Sequence, residues 1–193
     1  MRLLLIQPET PVAEPLSLIE AGHQLRLISS DEEAESIPDK VLVNGFIAAA
    51  REMAENYTNR AIKQATYELI CDDLGAVTLP KPPFQELVSI TYTDTEGVKT
   101  VLPEANYQLL EGAEPMFLSF TQPENYKRTP NGVRIRFKAG YESVPFALKA
   151  AMQLLVGHLY ENREAVVIGS ASFANALPLG AEHLMNPYRI YSF

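Results

Sequence analysis

Residues 38–62 read PDKVLVNGFIAAAREMAENYTNRAI. Leu42, Phe46, Ala49, Met53 and Tyr57 recur there at helical spacing, and Val43, Ile47, Ala50 and Ala54 run beside them. Pro38 suits a helical first turn, where an N–H would have no partner, and Asp39 suits the positive end of the helix dipole. The spacing predicts one long helix from Pro38 to about Ile62, on the order of 35 Å at 1.5 Å per residue. Its apolar stripe is wide enough to pack against more than one neighbour.

Upstream, Pro8, Pro11 and Pro15 exclude regular helix over residues 7–15 and leave an extended or turn-rich arm. Ser17 stands three residues before Glu20, a capping-box signature for a short helix carrying Leu18, Ile19, Ala21, Leu25 and Leu27. Gly22 weakens that helix by about 1 kcal/mol. Residues 29–36 are acidic and polar and read as a loop.

Downstream, the apolar period changes from helical to two. Residues 66–70 and 76–79 carry strand-type side chains, and Pro80, Pro82 and Pro83 then interrupt any helix. Residues 87–93 (LVSITYT) alternate, 95–97 turn, and 98–102 return, with further short strands at 107–110 and 116–120. Asn131-Gly132 is a turn signal leading into Val133, Ile135 and Phe137, which alternate with Arg134 and Arg136. The pattern predicts a small antiparallel sheet with one buried and one wet face.

Helix returns after Gly140, with Pro145 at a first helical position. Residues 146–160 are apolar on almost every face. Leu148, Ala151, Met152, Leu155 and Leu159 form one stripe, Ala147, Ala150 and Leu154 another, relieved by Lys149, Gln153 and His158. Such a helix is central in its core, or it also faces another subunit. Residues 167–176 read as a loop, 181–185 as a short helix, and the tail carries Tyr188, Tyr191 and Phe193. Helices, then strands, then helices make an α+β fold: a single domain 1–193 with a helical core over about 15–64 and 143–193 and a β-rich insertion over about 65–142.

A chain of 193 residues that is 47% hydrophobic can bury a core without covalent staples. A single cysteine, Cys71, excludes an intrachain disulfide framework and a cysteine-built zinc site. The apolar runs fall far short of the ~18 residues a membrane span needs. The opening MRLLLIQPE is too short for a secretory leader, so a soluble chain made in the cytoplasm, with no membrane contact, is expected. The net charge of −8 argues against a groove that grips nucleic acid, which needs clustered Lys and Arg, but not against a surface past which nucleic acid slides.

No phosphate loop, dinucleotide fingerprint, zinc-protease motif or nucleophile elbow is present. Asp72-Asp73 reads as a solvated loop pair, and His158 with Glu161 as a polar pair on a helix surface. The acids beside Cys71 disfavour its thiolate. No catalytic, cofactor or metal residue is therefore assigned. Arg134, Arg136 and Lys138 share one strand face, with Lys127 and Arg128 nearby, and read as a solvent-facing surface or a local basic patch. Aromatics at a chain end are costly unless they dock, either on the same chain or on a partner.

Three blocks carry a resemblance. The first is 47–53 (IAAAREM) with 55–61 (ENYTNRA). The second is Gly140, Tyr141, Val144 and Pro145, followed by Leu154, Leu155, Val156 and 160–166 (YENREAV). The third is 177–180 (LPLG) with Leu184, Pro187, Tyr188 and Arg189. Residues 16–21 (LSLIEA), 79–83 (LPKPP) and 88–92 (VSITY) fit the same pattern. Together they resemble the head-tail connector (adaptor) proteins of long-tailed bacteriophages and prophages, over nearly the whole chain. Relatives often have Gly where this chain has Asn59, and Asn is the second choice for a left-handed helix stop.

The resemblance implies a non-enzymatic subunit of a ring, typically twelve-fold, that docks beneath the portal protein at the head-tail junction of the virion. Such a ring lengthens the DNA channel, passes DNA without sequence-specific binding, and gives a platform to stopper or tail-completion proteins. No cofactor is implied. On that reading Pro187, Tyr188, Arg189, Tyr191 and Phe193 are candidates for partner docking, and Leu148, Met152, Leu155 and Leu159 for subunit contact. The alternatives are a small enzyme or ligand-binding module with a site between sheet and helices, or another neck or tail-completion protein.

Overall fold

The computed structural model describes residues 1–6, 12–110, 112–162 and 177–191. The chain forms two compact units, one from Met1–Val12 and Lys63–Glu142, the other from Ala13–Ile62 and Ser143–Phe193. The first is built of strands and the second of helices, so the protein is α+β.

Eight strands are described: β1 (Arg2–Ile6), β2 (Ala65–Cys71), β3 (Val77–Thr78), β4 (Phe84–Thr93), β5 (Lys99–Val101), β6 (Tyr107–Leu110), β7 (Phe117–Phe120) and β8 (Val133–Ala139). They form a five-stranded sheet in the order β1-β2-β8-β4-β5 and a three-stranded sheet in the order β3-β7-β6. Every pairing is antiparallel. β8 is the central strand, and its alternation does what the sequence predicts. Val133, Ile135, Phe137 and Ala139 are buried, while Arg136 and Lys138 are exposed. Phe137 stacks on Tyr67 of β2 with ring centroids 5.8 Å apart. Burying a side chain of this size stabilises by about 1.5–3 kcal/mol.

One feature of this unit departs from the sequence reading. The apolar run Leu3–Ile6, too short for a leader, lies in an edge strand paired with β2. A short unbroken apolar run carries no alternation to mark it as a strand. The Asn131-Gly132 turn forms as expected, with Asn131 at φ +55° and Gly132 N–H bonded to Thr129 O at 2.8 Å. The strand it leads into, β8, pairs with β2 and β4.

Gly140 follows β8 at φ +117°, and a Cβ there would lie 2.5 Å from the Lys63 carbonyl oxygen. Glycine is the residue that permits both this backbone and this approach.

The second unit holds α1 (Leu18–Gln24), α2 (Lys40–Thr58), α3 (Phe146–Glu161) and α4 (Leu179–Met185). The Ser17–Glu20 capping box at α1 is fully formed. Residues Asp31–Ser36, expected as loop, make a 3-10 turn. α2 is shorter at both ends than its apolar spacing suggested. Asp39 sits in the left-handed region, so helix begins after it, and Asn59 stops the helix at φ +57°. Pro145 likewise precedes α3 in an extended conformation instead of opening it.

Of the two apolar rows on α2, Val43, Ile47, Ala50 and Ala54 go inside; the Leu42 row is only partly covered. Phe46 of that row meets Tyr160 of α3 edge to face at 6.4 Å. Among the described residues no helix is long and apolar enough to cross a membrane.

Candidate functional site

The C-terminal segment is where the sequence placed partner docking, and its geometry starts at the end of α2. Asn59 reverses the backbone, which points Thr58, Asn59 and Arg60 at the segment after α4. The Ile190 N–H donates to Thr58 O at 2.9 Å. The Asn59 side-chain amide donates to Ile190 O at 2.8 Å. Arg60 is buried and donates through Nε to Tyr188 O. Tyr57 donates from its hydroxyl to Asn186 Oδ1 at 2.6 Å. The Arg189 guanidinium lies 5.0 Å from the ring centroids of both Tyr57 and Tyr191, within cation–π range.

Residues 186–190 thus bond to the end of α2 of their own chain. What this leaves outward is Pro187, Arg189 and Tyr191, with Tyr191 61% exposed and Tyr188 half-buried. Phe193, also a docking candidate, lies outside the described residues, as does the 167–176 loop.

The lead into this clamp is a charge cluster. Arg51 on α2 donates from Nε to Glu14 and from Nη1 to Glu55, both at 2.8 Å, and reaches Glu52 at 3.4 Å. Burial works against its charge, but Glu55, Glu14 and Glu52 outweigh it and hold the guanidinium above its ordinary pKa. The other Glu55 oxygen accepts the Ile62 N–H at 2.8 Å. Arg51, Glu52 and Glu55 belong to the blocks that carry the family resemblance, while Glu14 and Ile62 lie outside them. The four-residue spacing of Arg51 and Glu55 was the available signal; Glu14 and the Ile62 backbone are tertiary partners that spacing does not reveal.

The four subunit-contact candidates separate. Leu148, Met152 and Leu155 are fully buried, and only Leu159 keeps partial exposure. The first three therefore have no surface left for a neighbouring chain, because α1, α2 and α4 already pack around α3. The exposed apolar residues of this helix pair are Phe146, Leu154 and Leu179, at 91%, 39% and 74%.

The remaining candidates resolve into local structure. Asp72 Oδ1 accepts the Asn131 N–H, and Asp73 Oδ1 accepts the Tyr126 hydroxyl, each at 2.8 Å, so the acidic pair braces the loop before β8. Among the described residues, no three His, Cys, Asp or Glu side chains gather in a way that could hold a metal. His158 faces Asn162 at 3.3 Å. Cys71 is buried, and burial together with Asp72 pushes its thiol pKa up.

Arg134 and Arg136 both bond Glu68 of β2, each at 2.6 Å. Burial alone would raise the Glu68 pKa, but the two hydrogen bonds and the two positive charges outweigh it and hold the carboxyl below its ordinary range.

The fold is shared with chains of gene transfer agent particles. A chain in the neck of an empty gene transfer agent (GTA) particle computed with C6 symmetry matches at TM-score 0.76 and 23% identity. A chain in the virion of the native GTA particle matches at 0.71 and 23%, and one in the neck of the native particle computed with C12 symmetry at 0.69 and 20%. Each comparison covers 100% of this chain and 97% of the other. No curated protein matches. Residues 108–189 match the family described as phage gp6-like head-tail connector protein, a segment running from β6 through α4 to the clamped Arg189. That segment carries the likeness to head-tail connector proteins that the residue blocks implied.

Proposed function

We propose that the chain is a structural subunit of a ring at the head-tail junction of a phage-like particle. The observation that carries this is the connector match over residues 108–189, on a fold shared along its whole length with neck subunits of particles computed with C6 and C12 symmetry. The role is mechanical: a ring, twelve-fold on this reading, that continues the DNA channel below the portal and passes DNA without reading its sequence. Nothing in that role calls for a cofactor or a reaction.

The clamp gives the C-terminal segment a defined shape before any partner arrives. Pre-ordering lowers the entropy a partner must overcome on binding. The outward Pro187, Arg189 and Tyr191 are the portal-side contact in this proposal, and a stopper or tail-completion protein takes the opposite side of the ring. Of the four subunit-contact candidates on α3, Leu159 alone keeps exposed surface, because Leu148, Met152 and Leu155 are enclosed.

The test is to mix the purified chain with the portal protein of the same particle and image the mixture by negative-stain electron microscopy. A collar of density added to the portal ring is expected. A folded chain that adds no density to the portal or to portal-bearing heads would refute the reading.

A further inference from the structure

The cross-strand register of the five-stranded sheet gathers charge on its wet face. Residues directly opposite one another in an antiparallel ladder project to the same side. One row across the sheet is Arg2, Ile70, Arg134, Thr91 and Val101. The next is Leu4, Glu68, Arg136 and Ser89, and the third is Ile6, Thr66, Lys138 and Glu86. Lys99, opposite Thr93, adds to the same side. The face thus holds five cations (Arg2, Lys99, Arg134, Arg136, Lys138) against two carboxylates (Glu68, Glu86), a net of +3. With the whole chain at −8, everything else carries −11.

Local pairing does not cover this face. Glu68 is enclosed under Arg134 and Arg136, yet 35% and 52% of those side chains stay exposed. Lys138 pairs with Glu86 at 3.0 Å with both about half exposed. Arg2 and Lys99 are exposed.

We propose that this basic sheet face is one half of the subunit contact, and that its occupant is an acidic surface of a second copy of the same chain. The argument is charge complementarity. The face cannot pair with its own copy across a two-fold axis, because that would set like charges against each other in a partly desolvated contact. The rest of a second copy offers net negative charge, −11 in all. The densest acidic stretch is the turn Asp31–Ser36, with Asp31, Glu32, Glu33 and Glu35 within six residues and all exposed. Two different faces meeting head to tail form a heterologous contact, the kind that closes into rings. The inference rests on the ring reading above and names the surfaces that make the ring.

The experiment uses the full chain and two charge-reversed forms, followed by sedimentation velocity at roughly 50 mM and 500 mM salt, since surface charge is screened over ~10 Å at 0.1 M and less above it. The first form carries Arg2→Glu, Lys99→Glu and Lys138→Glu, sparing the arginines that hold Glu68. The second carries Glu32→Lys and Glu35→Lys. Circular dichroism verifies that each is folded.

The wild-type chain is expected to self-associate at the lower salt and at least about ten-fold more weakly at the higher. Each reversed form alone should lose that association, and an equimolar mixture should regain it with the two forms alternating. A wild-type chain that stays monomeric at low salt overturns the proposal, as does either reversed form associating like wild type, or a folded mixture that does not recover. Binding of a duplex DNA probe to the wild type but not to the first form, without self-association, overturns it in favour of a nucleic-acid surface. Rings indifferent to these charges sink this contact and leave the connector reading standing. That reading fails separately, on absence of the chain from the particle neck.

Discussion

Replacing Glu68 with Gln should destabilise the strand-built unit by about 2 kcal/mol at neutral pH. Glu68 is 3% exposed and accepts from Arg134 and Arg136 at 2.6 Å each. Hydrogen bonds to a charged group contribute about 1.5–3 kcal/mol each. Glutamine keeps the shape and one acceptor oxygen, so one bond and the carboxylate charge are lost while the other bond weakens. Removing one partner of a fully buried pair costs ~3–5 kcal/mol. Both arginines are more than a third exposed, and water screens the charges left behind, which places the loss below that range. At ~2–4 °C per kcal/mol for a chain of this size, the change lowers Tm by roughly 4–8 °C.

The pH dependence separates this cause from simple repacking. The folded-state pKa of Glu68 lies below its ordinary value of 4.5. Its contribution is therefore fully present above 4.5 and lost as the pH falls through the lower folded-state value. Urea titrations of wild type and E68Q from neutral pH down to about pH 3 should show a gap that narrows as the wild-type carboxyl takes up its proton. A gap below about 0.5 kcal/mol at pH 7, within the usual effect of a neutral surface substitution, would refute the reasoning. So would a gap that stays constant on acidification.

Gly140→Ala should destabilise by more than about 2 kcal/mol in a urea melt, because it adds a left-handed strain to a 2.5 Å clash with the Lys63 backbone. Asn59→Ala should cost about 1–2 kcal/mol, since it loses both the left-handed cap and the bond to Ile190 O, whereas Asn59→Gly keeps the cap and should cost less. Limited proteolysis after residue 185 should speed up in both variants, because both release the Ile190 bond. Cys71, buried and with a raised thiol pKa, should resist a thiol reagent at pH 8 in the native chain and react on unfolding; native reactivity equal to that of the unfolded chain would contradict its placement.

Much of the architecture was legible in the amino-acid order. β6 begins and ends at the residues the alternation marked, β8 buries the odd-numbered row that the sequence assigned to the core, and the Ser17–Glu20 box caps α1. Asn59 stops α2 in the left-handed conformation that its chemistry allows. These are local facts: period, capping and turn preference act within a few residues and need no distant partner.

The site was less legible for the opposite reason. An apolar helix looks the same in sequence whether its faces meet its own chain or another, and α3 turned out to enclose Leu148, Met152 and Leu155. A run such as Leu3–Ile6 shows no period until a neighbouring strand fixes which side is in.

By itself, then, the sequence determined the α+β order, the helix and strand periods, the absence of familiar catalytic motifs and the likeness to connectors. The tertiary structure alone decided that the C-terminal segment docks on the end of α2 and that Glu68 is held between two arginines. It also decided that the strand register assembles a basic face on an acidic chain. The first two join residues 66 to 131 positions apart, and the third pairs β8 with strands on different parts of the chain, β2 and β4. Such contacts depend on how elements pair, and register between distant strands or the docking of a distant tail leaves no periodic trace in the residues that make it.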